Sequence, residues 1–353
     1  MAEVNLNKTA VSPKTKSRNG SNSLMKLFKR NDMGVVIATA LLFLIFALVT
    51  ESFFTRYNLF NISRTAGLYV FIAMGQMIVL VIGGMNLSLG GIGGLVVVAA
   101  GYTMDSLGWS PWISVPIALS VGLLAGAFNG IIIVKSKINS FIITLASLFI
   151  FTGLVTGISQ GFPYTNIPKS FTLMGRGSLF GVPYTFVLAI ATLLIMAYVF
   201  KFTVVGRRIL ATGGNLEAAQ LSGIRTDRIV FLCHVLSGLF AAIAGLLWVS
   251  RMGSAQPATG SDWLIISFAV AIIGGTALTG GEASMLALLA SAILLTLIKN
   301  GLIMLNVNVY FEQTFLGLII LLAVSIDRIR AMIHSSARKF GRRDVTEAKP
   351  LAE

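Results

Sequence analysis

Residues 66–104 read AGLYVFIAMGQMIVLVIGGMNLSLGGIGGLVVVAAGYTM, without one Asp, Glu, Lys or Arg. Two apolar runs, 66–84 and 87–104, flank a glycine–polar interruption, Gly83-Gly84-Met85-Asn86-Leu87-Ser88-Leu89-Gly90-Gly91. Each run is close to the roughly 20 residues that an α-helix needs to cross hydrocarbon. Clustered glycines weaken a helix at the interruption, and Asn86 and Ser88 add neutral donors and acceptors there. Broken backbone of this kind is tolerated in a bilayer only inside protein or along a water-filled path.

The same character extends outward in both directions. The chain has 353 residues, of which 56% are hydrophobic and only 11% charged, and its mean hydropathy is +0.86. A soluble domain carries about 25% charged residues, so lipid is the solvent that this chain is built for. Apolar runs near 33–50, 66–84, 87–104, 112–134, 138–159, 183–200, 229–250, 263–280, 284–299 and 310–326 make ten expected spans. The fold class is therefore an all-α polytopic membrane protein with broken helices. Residues 1–32 are polar and basic and are expected to be a disordered tail. The transmembrane domain is expected over 33–330, and a second basic tail over 331–353. The first span lacks the short apolar core and small-residue cleavage site of a signal peptide.

An even number of spans places both termini on one side. Of the 27 Lys and Arg, 21 fall on that side, in the two tails, at Lys135 and Lys137, and in the loop 201–228. Arg56, Arg64, Lys169, Arg176, Arg251 and Lys299 fall on the other. The positive-inside rule makes the tails and the 201–228 loop cytoplasmic. It also accounts for the formal charge of +14 without nucleic acid. Two stretches resemble each other, VIGGMNLSLGG (81–91) and IIGGTALTGGE (272–282), as do FNGIII (128–133) and KNGLIM (299–304). In the expected topology the second pair runs in opposite directions, as an inverted repeat would; chance similarity among small-residue spans is the alternative.

Little in the chain suggests covalent chemistry. One cysteine, Cys233, and two histidines, His234 and His334, form no ligand cluster. All 13 carboxylates lie at or beyond expected span ends, which disfavours a proton relay or a charge-coupled cation site. His234 reads as an interfacial histidine bonded to a carbonyl. Trp109, Trp112, Trp248 and Trp263 read as aromatic-belt anchors. Gly83, Gly84, Asn86 and Ser88, with Thr276 and Thr279 in the possible repeat partner, are the candidate solute path, since neutral polar groups suit a hydroxyl-rich solute. Close helix packing through the same small residues is the other reading.

The loop 201–228 carries the most specific pattern. Asn215 is a good N-cap, Glu217 favours the positive first turn, and Gly223 can close the helix. A two-turn helix over 216–222 follows, too short to be stable alone. Docked against a partner it offers Leu216 and Leu221 as apolar contacts. An ordinary amphipathic interfacial helix is the bland alternative.

GRRILATGGNLEAAQLSGI (206–224) resembles the cytoplasmic signature of the ribose/xylose/galactose-type ABC permeases, which include autoinducer-2 permeases. Further resemblance lies in NGIIIVKSKINSFIITLASLFIFTGL (129–154), LSGLFAAIAGLLWVSRMGSAQP (236–257), IIGGTALTGGEAS (272–284) and residues 300–330. It covers about 35–330. It implies a sugar-importing permease of the bacterial inner membrane, with a second permease subunit, a cytoplasmic ATPase pair and an extracytoplasmic solute-binding protein. It also implies that Gly213, Gly214, Asn215, Leu216, Glu217, Ala218, Leu221 and Gly223 form the coupling segment seated in the ATPase. ATP and Mg would then be held by the ATPase, and the chain, which has no Walker motif, would carry no cofactor and would not be an enzyme. Two departures bear on the solute. The family's GGIDLSVG is here GGMNLSLG, with Asn86 for an acid. Its ELDVIAA stretch is here SDWLIISFAVAIIGG (261–275), which keeps Asp262 and loses the later acid. A polyol, deoxy-sugar or nucleoside thus joins a pentose as expected cargo, and an ion-coupled transporter of a small polar solute is the rival class.

Overall fold

The computed structural model describes residues 31–305 together with 307–308, 311, 313–315, 317–318 and 321. The expected C-terminal tail lies wholly, the N-terminal tail almost wholly and the tenth span, 310–326, in the larger part outside the described residues.

Apolar runs become helices because only a helix satisfies all its own backbone groups in lipid. In chain order they are α1 (Asn31–Val49), α2 (Arg56–Leu80), α3 (Leu89–Gly101, continued by a π-helical turn Tyr102–Ser106), α4 (Pro111–Ser136), α5 (Ser140–Ser159), α6 (Lys169–Arg176), α7 (Tyr184–Phe202), α8 (Val204–Gly214), α9 (Leu216–Leu221), α10 (Thr226–Met252), α11 (Trp263–Ile273) and α12 (Met285–Met304). A two-residue hairpin, β1 (Ser178–Leu179) with β2 (Val182–Pro183), precedes α7. Seven of the helices are long and apolar enough to cross a membrane, and α1 and α11 are shorter apolar helices. The chain is an all-α polytopic membrane protein.

Polar side chains set several starts. Thr55 accepts from Asn58 N–H at α2, Asn139 from Phe141 N–H at α5, and Ser284 from Ala287 N–H at α12. At α4, Pro111 stands at the first position, where its missing N–H costs nothing.

The centre is α2, whose most apolar window is 83% buried, packed against α10, α11, α12 and α7. Helices α3 and α10 are the next most enclosed, whereas α5 has only 22% of its window buried and turns the rest outward. Such outward apolar surface is what lipid covers. Small residues let the central helices touch: at Gly126 a methyl group would strike the His234 carbonyl, and at Gly238 the Gly122 carbonyl.

The eighth expected span, 263–280, departs from the expectation. Its helix ends at Ile273 after 11 residues, about 16 Å at 1.5 Å per residue. What precedes it completes the crossing: residues 254–262 descend alongside α3 as non-helical chain. Ala255 packs at Gly101, Thr259 at Gly94, and Gly260 sits backbone on backbone against Gly90. Ala255 also bridges Tyr164 through paired hydrogen bonds of 2.8 and 3.0 Å. Gly260 takes φ +97°, a conformation open to glycine. Asp262 therefore heads α11 within the bundle, with the Lys299 ammonium 3.7 Å away, rather than at its edge as expected. Trp263 is corrected too. It is fully buried, with its ring filling the space over Gly93 and an edge-to-face contact to Trp248. Trp109 and Trp112 are exposed, as belt residues are.

Candidate functional site

Three of the sequence-selected stretches meet at one end of the bundle, the α9 face. After α2 ends, the chain turns through Gly83 and Gly84. After α11 it turns through Gly274 and Gly275 and again through Gly280 and Gly281. The end of α8, Gly213-Gly214, lies between the two breaks. The Gly281 N–H donates to the Val81 carbonyl at 2.8 Å. A methyl group at Gly213 would overlap that same carbonyl and stand 2.7 Å from Gly281 N. One at Gly280 would lie 2.8 Å from both Gly83 N and the Gly213 carbonyl. Both contacts are backbone on backbone, which only missing side chains permit.

Beyond this contact α9 is as expected. Asn215 Oδ1 accepts from Ala218 N–H at 2.9 Å, and Gly223 reverses the chain at φ +79°. Ala219 is the buried residue of the helix, while Asn215, Glu217, Ala218 and Gln220 are exposed, and so are Leu216 and Leu221, the latter at 90%. Helix α8 was not anticipated; Gly206 stands in its first turn and Gly213 and Gly214 in its last, where the cost of glycine is small.

The return from the first break, 85–88, enters the bundle as irregular backbone whose polar groups are all the more demanding for being buried. Helix α5 supplies two partners: Ser140 Oγ accepts from Met85 N–H at 3.0 Å and Thr144 Oγ1 from Leu87 N–H at 3.1 Å. Asn86 and Ser88 are fully buried. Asn86 Nδ2 donates to Ser237 Oγ of α10 at 2.8 Å, and its Oδ1 accepts from both Ser88 N–H and Ser88 Oγ–H at 3.0 and 2.7 Å. Asn129 of α4 closes the network by donating to Ser88 Oγ at 2.8 Å. One neutral cluster thus ties the broken segment to three helices.

Thr276 is buried and its hydroxyl has no hydrogen-bond partner among the described residues, whereas Thr279 is exposed with its carbonyl near Gly83. Neither threonine is bonded to the Asn86 network. A cavity of about 490 Å³ opens beside this second break, walled in part by Lys201, Gly275, Glu282 and Ser284. His234 Nδ1 donates to the Val230 carbonyl at 2.9 Å, the carbonyl bond expected of it, but its ring is fully buried rather than at an interface.

Sequence reading missed Asn129, Ser237 and Gln76. Gln76 is fully buried with neither amide atom bonded among the described residues. A lone amide in the run VFIAMGQMIVL (70–80) was its signal. No group of three or more His, Cys, Asp or Glu among the described residues could hold a metal.

The comparisons with known proteins agree with this architecture. Residues 58–324 match the family model described as branched-chain amino acid transport system / permease component. The chain is 32% identical to the ribose import permease protein RbsC of Haemophilus influenzae, over 82% of this chain and 91% of that one. It is 34% identical to the L-arabinose transport system permease protein AraH of Escherichia coli, over 84% and 90%. It is 27% identical to the autoinducer 2 import system permease protein LsrC of Photorhabdus laumondii, over 90% and 95%. With breaks, glycine contact and short α9 helix all inside the matched region, the chain belongs to this permease family and is a sugar-type ABC transporter permease.

Proposed function

We propose that the chain is the membrane subunit of an importer that moves a sugar-like solute inward, driven by ATP hydrolysis on a separate subunit. The observation that carries this reading is the position of α9. It is exposed, presents Leu216 and Leu221, and follows directly on Gly213, whose backbone abuts both helix breaks. An ATPase seated on α9 would push through rigid backbone onto residues 81–84 and 280–281. The positive-inside count supports a cytoplasmic α9 face and cytoplasmic termini, in a bacterial inner membrane as the family's setting implies. A binding protein would deliver solute to the opposite face, and a second copy of the chain would complete the pathway between protomers. ATP and Mg would be bound by the ATPase alone.

The network of Asn86, Ser88, Asn129 and Ser237 closes the first break in the present conformation. Opening it would expose neutral donors and acceptors suited to hydroxyl groups, so Asn86 and Ser88, with Thr276 on the second break, remain our choice for the solute path. Each tenfold change in solute affinity between the two states costs about 1.4 kcal/mol of differential binding, which the ATPase must supply. The solute class rests on relatives named for ribose, arabinose and autoinducer 2. Asn86 in place of the family's acid keeps a polyol or nucleoside in view.

The test is co-purification from the native membrane in mild detergent. Wild-type chain should bring an ATP-binding subunit with it. The double variant Leu216→Asp/Leu221→Asp, altered only at exposed positions, should insert normally and lose that subunit. Solute uptake that persists without any ATPase and collapses with the ion gradient would overturn the reading in favour of an ion-coupled carrier.

A further inference from the structure

Where α9 turns into α10, the chain builds a cavity of about 260 Å³ that the transport reading leaves unused. It is lined by Arg208 of α8, by Gly223, Ile224 and Arg225 of the turn, and by Arg228 and Ile229 of the first turn of α10. Three arginines, one each from α8, the α9–α10 turn and α10, line it, and no carboxylate is among its lining residues. The nearest acid in sequence, Asp227, is engaged elsewhere, with the Lys137 ammonium 3.9 Å away.

The cavity has a fixed frame. Gly223 N–H bonds to the Gln220 carbonyl at 2.9 Å and Ile224 N–H to the Ala219 carbonyl at 3.1 Å, which sets the turn. Gln220 Nε2 donates to Thr226 Oγ1 at 3.1 Å and ties α9 to α10. Ile209, beside Arg208, is fully buried, and Ile229 nearly so. Three cationic side chains bordering one space favour an anion within it.

We propose that this cavity binds a phosphate group. A guanidinium is a planar fork that matches phosphate oxygens in pairs. The oxygens of a phosphate diverge tetrahedrally, so several forks can dock at once, which a flat carboxylate does not allow. A diester presents two free oxygens and one charge, and a monoester three oxygens and close to two charges. The group can come from a phospholipid headgroup or from a soluble phosphate ester. The surroundings favour the headgroup: Phe202, at the end of membrane-spanning α7, and Val204 and Val205, at the start of α8, are exposed apolar residues within two turns of Arg208. An occupant would brace the α9–α10 turn from behind, making the stiffness of α9 depend on lipid or on soluble phosphate.

The experiment uses the full-length chain in detergent, with native mass spectrometry and thermal unfolding as readouts, so it is independent of any ATPase. Variants are Arg208→Gln/Arg225→Gln/Arg228→Gln and a control of equal charge loss on the same face, Lys135→Gln/Lys201→Gln/Arg207→Gln. Wild type and control should retain phosphatidylglycerol about tenfold better than the pocket variant, a difference of about 1.4 kcal/mol. Retention of phosphatidylglycerol assigns the site to lipid. Stabilisation by sn-glycerol 3-phosphate or inorganic phosphate in delipidated protein, without lipid retention, assigns it to a soluble ester. Equal loss in both variants, or no phosphate-dependent effect in wild type, overturns the proposal. So does loss of a co-purifying protein from the pocket variant with phosphate binding unchanged, which would give the arginines to a protein partner.

Discussion

Replacing Gly213 with alanine puts a methyl group where the Val81 carbonyl already lies and 2.7 Å from Gly281 N. Ordinary contact for a methyl carbon begins near 3.4 Å, so backbone on at least two segments must retreat. The Gly281–Val81 hydrogen bond, 2.8 Å long, is stretched by the same movement. Overpacking costs about 1–3 kcal/mol and the weakened bond about 1 kcal/mol. Alanine regains about 1 kcal/mol of helix propensity. The net is a loss of about 1–3 kcal/mol. Gly214, the next residue, has open space for a methyl group, with nothing within 4 Å, and no positive φ. Alanine there should be neutral or stabilise by up to about 1 kcal/mol. Thermal unfolding of the two variants in one detergent measures the contrast. Equal melting of Gly213→Ala and wild type, or equal destabilisation by both substitutions, would refute the packing of α8 onto the two breaks.

Asn86→Leu should destabilise by about 1–3 kcal/mol, since it strands the buried Ser88 and Ser237 hydroxyls, while Asn86→Asp should be milder because Ser237 can rotate to donate; the reverse order in a melting series would count against the network. Trp263→Ala should cost about 3–5 kcal/mol through the cavity left against Gly93, and an unaltered melting temperature would return Trp263 to the membrane belt. Glu217→Lys should leave insertion intact and weaken association with the ATPase, measured by pull-down; normal uptake would remove the coupling role from α9.

Much of this architecture was legible because lipid imposes one rule on every span. Apolar length alone located nine of the ten expected crossings where described helices or half-helices stand. It could not show that 254–262 would run beside α3 as a succession of turns. Serine, alanine, glutamine and proline before Asp262 look like an ordinary loop, and only the small surface of α3 at Gly90, Gly94 and Gly101 makes room for them. Trp263 was misjudged for the same reason, because depth was assigned by position in an apolar run. The cap at Asn215 and the turn at Gly223 are local, and local chemistry carried them. Asn86 and Ser88 stood out by type, but Asn129 and Ser237, their partners, lie 41 and 151 residues away along the hydrogen bonds that join them. No local pattern could pair them.

The contact between Gly90 and Gly260 limits how this protein can change over time. At Gly93 a larger residue could be accommodated if Trp263 shrank, so two substitutions could trade volume and preserve the fold. Between Gly90 and Gly260 there is no side chain to shrink: each would-be methyl meets the other residue's carbonyl. Neither position can be rescued by a change at its partner, and drift at both is closed off together. A repertoire of viable variants should therefore diversify around Trp263 while leaving this pair untouched, a contrast that deep mutational scanning can count directly.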